Sequence, residues 1–575
     1  MYHETRNEFH TIQLNVNSFN RMKNRHVNAV VIGAGAGGGV VAKELSVAGM
    51  SVVLFERGGW ATYDDHDHDE IFSQRTSLLG NAYGPDNNRN RRVRVLPDGR
   101  EIIVLPNDWR YENNAACVGS GTVSYGAMAW RFMPEDFRMK STYGHVEGTS
   151  LDDWPITYED LEPCYEKAEW EIGVAGDDSL NPFAPARRKP QPMPAFEHNN
   201  EAKILEAAAR RLGYHPFPIP MLRNSIPYGG RPQCYRIRSC VGFACPVNAK
   251  CGTHNTVIPV ALNTKNCELR THCMVSEILV DNNGKITGVS YFDEKNRKQT
   301  QTADIVVVSS SATETARLLL NSKSRSFPAG IGNKNDWVGR NLQGHAYTGA
   351  YGLFEEDIYD DRGPGASLAI CDFNHHNPGI IGGGVLCNEF NRLPYLFSGI
   401  RPPNSPSWGK EHKEFQKVNF KRVGQVVGPY QEIPSFESRV DVSPDVKDFW
   451  GIPVCKISGN MSVKDDEGTA FMAEKAEKWL LEAGASVVWK TGVTNGPRPA
   501  SGGQHQAGTC RMGNDPKTSV CDKYGRVHNV PNLFVADGSL HVTNGGFNPV
   551  LTIMALGYRI GGYIASEWNK GNRFK

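Results

Sequence analysis

Apolar positions in this chain fall into two regimes, and the first is short, unbroken runs bounded by turn residues. Ala29–Ile32, Val52–Phe55 and Val306–Val308 are such runs. They read as strands buried on both faces, as in a parallel sheet. Between the first two, Val41, Leu45 and Ala48 recur at helical spacing. The first run empties into Gly33-x-Gly35-x-x-Gly38, and the second ends on Glu56, 23 residues after Gly33. Strand, glycine turn, helix, strand and acid together make a βαβ unit. Gly33 permits the tight turn, Gly35 lets a pyrophosphate approach the backbone, and Gly38 lets helix pack close to strand. The helix start offers unpaired N–H groups and a positive dipole end. Glu56 is placed to accept from ribose hydroxyls, with Arg57 beside it. The unit predicts a bound dinucleotide.

The second regime is alternation and amphipathic helix. Trp154-Pro155-Ile156-Thr157 leads into a helix, with Thr157 as N-cap, Asp160 at N3 and a stripe of Leu161, Tyr165 and Ala168. Glu201 to Leu212 is a further amphipathic helix. Residues 269–298 alternate around Asn282-Asn283-Gly284, the pattern of a hairpin. Val306–Val308 gives way to the helix TETARLLLNS. Residues 345–495 are rich in aromatics, glycine and short alternating runs, closed by the helix GTAFMAEKAEKWLLEAG. The fold predicted is α/β: a Rossmann-like domain from residues 27–150, 255–345 and 496–575, interleaved with a mainly antiparallel β substrate domain from 151–254 and 346–495. Residues 176–200, rich in Pro and Asn, read as linker or lid. Residues 83–107, with Arg89, Arg91, Arg92 and Arg94, read as a surface excursion near the mouth of the site.

Composition narrows the function classes. At 575 residues two domains or more are expected. A net charge of +1 gives no reason to expect nucleic acid or an anionic membrane as partner. No apolar run reaches the length that crosses a bilayer. The first 26 residues lack an apolar signal core and a twin-arginine pair, so a cytoplasmic location is expected unless a partner subunit carries an export signal. The loop 61–75 alternates Asp with His66 and His68; it reads as a solvated loop sooner than a metal site. Thirteen cysteines are dispersed, and most read as reduced and buried. Cys234, Cys240, Cys245 and Cys251 lie closer together. Buried thiols and a Cys240–Cys245 disulfide are both open, and an iron–sulfur cluster on Cys240, Cys245 and Cys251 is implied only by the family resemblance that follows. The cluster is the weaker reading, because x4 and x5 spacings do not match ferredoxin repeats.

The last eighty residues carry HQAGTCRMG, NLFVADGS and GGFNPVLTIMAL in that order. With GAGAGGG, WPITYEDLEPCYEKAE and SSSATETARLLL, they resemble the glucose-methanol-choline (GMC) oxidoreductases. The resemblance is to the sugar-oxidising branch, which includes pyranose oxidase, glycoside 3-oxidases and gluconate and fructose dehydrogenases. It implies FAD in the βαβ site. It also implies that His505 is a catalytic base and Asn548 its partner, that Asp537 and Gly538 meet the ribityl–pyrophosphate region, and that backbone near Val275 meets adenine. A neutral imidazole suits removal of an alcohol proton, because its pKa lies near working pH. Asn548 reads as N-cap and Pro549 as N1 of a helix, with Thr552 in its first turn, aiming its positive end at the flavin. The flavin segment is Gly119, Ser120, Gly121, Thr122, Val123, Ser124, Tyr125 and Gly126, where many members read GGSSxxNG; Tyr125 takes the place of the Asn beside flavin N5. No His occurs between Ala115 and Phe137, so noncovalent FAD is expected. The activity implied is oxidation of a secondary ring hydroxyl (C3 or C2) of a sugar or glycoside to a keto-sugar, with oxygen or a redox partner as acceptor. Asn, His, Arg, Tyr and Trp within residues 345–430 suit hydroxyl recognition. The alternatives are a flavoprotein subunit of a membrane-associated dehydrogenase that passes electrons to a cytochrome, with a small helper subunit, and an oxidase of another polyol or of an aminoglycoside.

Overall fold

The structure is a computed structural model that describes residues 25–65, 69–71, 82–111, 114–493, 499 and 505–574. His66 and His68 lie outside the described residues. The central sheet runs in the order Cys267–Arg270, Val52–Phe55, Val27–Ile32, Lys298–Val308, Ile286–Phe292 and Met274–Val280. The first four are parallel, with Val30 opposite Val53 on one side and Val306 on the other. The long strand Lys298–Val308 is shared: its first half pairs antiparallel with Ile286–Phe292, and its second half pairs parallel with Leu533–Val535. The apolar runs of the sequence are the buried centre of this sheet. Asn282-Asn283-Gly284 is the turn of the antiparallel hairpin, and Thr157 caps Tyr158–Ala168 reciprocally with Asp160.

A second, six-stranded sheet contains Val487–Thr491, His345–Leu353, Val423–Gln431, Leu386–Asn388, Leu368–Ile370 and Phe217–Pro218. Side chains alternate across it. Ala346, Ala350 and Val426 on one face pack with Met472, Ala476 and Trp479 of the helix Val463–Glu482. His345, Tyr347, Gly349 and Tyr351 belong to the opposite face, which roofs the site.

A third sheet corrects the reading of residues 83–107. Arg92–Val95 is a strand between Glu101–Val104 and Pro453–Ser458, and Arg439–Lys447 completes the sheet. Arg92 and Arg94 are buried in it, while Arg89 is exposed. Arg92 is tolerated inside because its guanidinium meets Asn114 Oδ1, Thr313 Oγ1 and Glu314 Oε1, each at 2.9 Å. A run of arginines looks like surface until the partners from distant sequence are known.

Candidate active site

One cavity of ≈ 430 Å³ runs from the glycine turn to His505. At its start Gly33 has φ +101°, and a Cβ there would lie 2.2 Å from Ser309 O. Glu56, at the end of its strand, is buried and accepts from Ala34 N at 3.1 Å and Gly58 N at 3.0 Å. Burial pushes its carboxyl above the usual range, against the pull of those N–H groups. Arg57, Val275 and Glu314 continue the wall. Asp537 accepts from Thr315 Oγ1 at 2.6 Å and Ser539 N at 2.9 Å, and burial raises it too. The hydroxyls of Ser124 and Ser311 are buried in this wall and meet no partner among the described residues. Buried polar groups left so are expected where a polar ligand sits.

Of the residues read from the sequence, Gly33, Gly35, Glu56, Arg57, Ser120, Thr122, Tyr125, Gly126, Val275, Asp537, Gly538, Asn548, Pro549 and His505 all line this cavity. Gly38, Gly119 and Thr552 do not. Gly38 packs on the turn, where a Cβ would lie 1.9 Å from Gly33 O; Gly119 lies against His254. Thr552 is buried and meets the Tyr165 hydroxyl at 2.7 Å. Tyr125 donates its hydroxyl to Cys251 O.

At the far end, His505 Nε2 lies 3.4 Å from Asn548 Nδ2, and His505 Nδ1 lies 2.9 Å from His345 Nδ1. Asn544 Nδ2 donates to His505 O at 2.8 Å. Asn548 Oδ1 accepts from Trp130 Nε1 at 3.1 Å, and its Nδ2 donates to Tyr347 OH at 2.9 Å. This corrects the cap assignment. The helix is Val550–Asn569 with Pro549 at N-cap, and no side chain caps it. The Asn548 amide is committed to Trp130 and Tyr347, so it serves the cavity instead of the helix end.

Trp130, His345, Tyr347, Glu389 and Phe390 escaped the sequence reading. Tyr347, Glu389 and Phe390 line the cavity. Alternation of His345, Tyr347 and Tyr351 along one strand was the available signal; nothing local marked Trp130 or Glu389.

The cysteine loop is organised by cations. Arg223 Nη1 donates to Cys240 Sγ at 2.7 Å. Burial alone would raise this thiol, but Arg223 and Lys250 outweigh it and hold it below the ordinary value. All thirteen cysteines are free, so Cys240 and Cys245 form no disulfide. Among the described residues no group of three or more His, Cys, Asp or Glu is arranged to hold a metal ion.

Profiles of the GMC oxidoreductase family match residues 147–347 and 434–557. The chain belongs to the GMC oxidoreductases. It is 32% identical to 2-methyl-1,2-propanediol dehydrogenase of Mycolicibacterium austroafricanum, over 94% of this chain and 96% of that protein. It is 30% identical to 6'''-hydroxyparomomycin C oxidase of Streptomyces lividus, over 93% and 91%. To the fructose dehydrogenase large subunit of Gluconobacter japonicus it is 27% identical, over 96% and 100%. Its fold is similar to that of pyridoxine 4-oxidase from Mesorbium loti, with TM-score 0.62 at 16% identity, covering 93% and 98% of the two chains. GMC oxidoreductases bind FAD and act on alcohol or sugar-like hydroxyls. The glycine-walled start, the buried acid and the orphaned hydroxyls of this cavity fit such a group. Among the described residues no helix of this GMC oxidoreductase is long and apolar enough to cross a membrane.

Proposed function

We propose that this GMC oxidoreductase oxidises a ring hydroxyl of a sugar or glycoside to a ketone, with His505 as base, Asn548 as hydrogen-bond donor to the hydroxyl oxygen and noncovalently held FAD. The observation that carries the reading is the 3.4 Å approach of His505 Nε2 and Asn548 Nδ2 on the cavity wall. Asn548 presents its second N–H there, the first being donated to Tyr347 OH, because the Trp130 indole, a donor only, occupies its oxygen. That N–H donates to the substrate hydroxyl oxygen, and His505 Nε2 takes the hydroxyl proton as the carbonyl forms. FAD, when bound, supplies the acceptor for the carbinol hydride. Tyr347 and Phe390 offer aromatic surface to a sugar ring.

The test is anaerobic mixing of the yellow protein with a panel of pyranosides, watching flavin absorbance. Bleaching by a sugar supports the substrate class, and bleaching by none of them rejects it. Return of colour in air supports an oxidase; a lasting bleach supports a dehydrogenase that feeds a separate redox partner. His505→Ala is expected to slow bleaching about 100-fold or more while flavin stays bound. Flavin that remains with the precipitate after acid denaturation would refute noncovalent binding.

Glu389 favours a narrower reading, an amino-sugar. Glu389 lines the same cavity as Tyr347 and His505, with its Oε1 accepting from Phe390 N at 3.0 Å, and a negative charge there attracts an ammonium-bearing substrate. Glu389→Gln is expected to raise KM for amino-sugars and leave that for neutral sugars nearly unchanged. Equal effects on both would exclude this reading.

A further inference from the structure

His345 packs edge-on against His505, ring centroids 5.0 Å apart, and is not among the residues that line the cavity. Its Nε2 is 2.7 Å from Gly545 O, and its Nδ1 is 2.9 Å from His505 Nδ1. A carbonyl oxygen only accepts, so His345 Nε2 carries a proton. His345 is fully enclosed, and burial lowers it to about 4, so at neutral pH it holds that one proton and no other. Its Nδ1 is therefore an acceptor. The proton between the two rings belongs to His505 Nδ1, and His505 Nε2 carries none, with Asn548 Nδ2 3.4 Å from it. The reverse arrangement would set two lone pairs against each other at 2.9 Å, or one against Gly545 O at 2.7 Å.

We propose that His345 is a positioning residue that fixes the tautomer of His505, accepting its Nδ1–H so that the Nε2 lone pair faces the cavity beside Asn548. This inference rests on His505 being the base. His345 is held in turn by its own strand, where it is paired with Gln431, and by the turn that supplies Gly545 O. The orienting group in this chain is a neutral imidazole in place of a carboxylate. It fixes the ring without an added negative charge to hold His505 protonated before substrate arrives. The relay moves no proton beyond His505: the alcohol proton ends on Nε2, and the resulting cation stays on that ring, because His345 resists charging where it lies.

Two substitutions separate this role from a packing role. His345→Gln can accept from His505 Nδ1 through its oxygen and donate to Gly545 O through its nitrogen; His345→Leu can do neither. Expected is a roughly 100-fold slower flavin bleaching in His345→Leu, the order of a lost base. His345→Gln is expected to recover to within about tenfold of the wild type, the size of one net hydrogen bond. Half-saturating substrate should change little in either. Long-range 1H–15N spectra of the 15N-histidine holoenzyme should show His505 protonated at Nδ1 in the wild type and in His345→Gln, and at Nε2 or both nitrogens in His345→Leu. Wild-type bleaching by His345→Leu would overturn the proposal, as would equal loss in both variants or a wild-type His505 protonated at Nε2. The last measurement stands even where His345→Leu does not fold. His505→Ala, measured alongside, tells the two failures apart. If it bleaches normally, the base reading falls; if it is slow while His345→Leu is not, only the role of His345 falls.

Discussion

Asn548 illustrates how a single side chain acquires direction. An amide presents an acceptor on one side and a donor on the other, and only its neighbours decide which side meets the cavity. Trp130 settles this for Asn548, and the indole is itself held edge-on to Phe217 at 6.0 Å and against Phe547 at 5.5 Å. Trp130→Phe keeps the aromatic packing and removes the N–H. The loss of one net hydrogen bond, about 1 kcal/mol, predicts up to a tenfold slower bleaching. An unchanged rate would mean that Tyr347 alone holds the amide. Glu389, His345 and Trp130 share a property: the fold alone sets each one opposite its partner, and none sits in a motif.

At the scale of elements, the cofactor cavity exists because the helix Ala36–Val47 lies almost on its sheet. A Cβ on Gly37 would fall 1.8 Å from Ala536 O, in the connection after Leu533–Val535. Backbone cannot yield there without opening the wall of the cavity. Gly37→Ala is expected to give colourless protein with a lowered Tm, read from the flavin-to-protein absorbance ratio and a thermal melt. A yellow protein with the wild-type Tm would refute the argument. Gly562, in the C-terminal helix Val550–Asn569, is the contrast: a Cβ there meets nothing within 4 Å. Gly562→Ala should stabilise by about 0.5–1 kcal/mol through helix propensity, measurable by urea unfolding.

Across the whole molecule, charge inside the fold joins its layers. Glu314, on the helix Ala312–Asn321, meets Arg92 at 2.9 Å and Arg317 at 3.1 Å, and Arg317 reaches Asp448 at 2.6 Å. These contacts tie the third sheet to the helix Ala312–Asn321. Burial opposes charge on Glu314, but the surrounding guanidinium groups win and hold its carboxyl well below the usual range. Glu314→Gln leaves buried arginines short of their counter-charge and should cost roughly 3–5 kcal/mol in urea unfolding. Near wild-type stability would show that the network is dispensable. Buried histidines add a pH dependence. Burial lowers His254 to about 3 and His345 and His541 to about 4, against about 6.5 in an unfolded chain. The unfolded state therefore binds more protons between those values, so this contribution is complete above pH 6.5 and is lost as pH falls toward 4. Buried Glu56 and Glu201, raised by burial, act in the opposite sense. The histidine part is therefore read by difference: His541→Gln should flatten the fall of Tm between pH 6.5 and 4, and an identical slope would remove His541 from the account.

What could be read along the chain is what short-range physics controls. The βαβ unit, the capped helix at Thr157 and the hairpin at Asn282-Asn283-Gly284 each depend on residues within about thirty positions, whereas His505 and Asn548, 43 positions apart, were marked by the family resemblance of their segments. Periodicity and turn chemistry expose such features before any folding. Arg92 looked like surface because its partners Thr313 and Glu314 stand more than two hundred positions away. Asn548 looked like a helix cap because its true partner, Trp130, is 418 residues distant. His345 and His505 are 160 residues apart and meet only where the second sheet roofs the C-terminal turn. Burial, orientation and protonation are properties of the assembled neighbourhood, since desolvation and hydrogen bonding are summed over whatever the fold brings near. The sequence therefore carried the family and its local elements, and the tertiary structure alone decided which atom of each group faces the cavity.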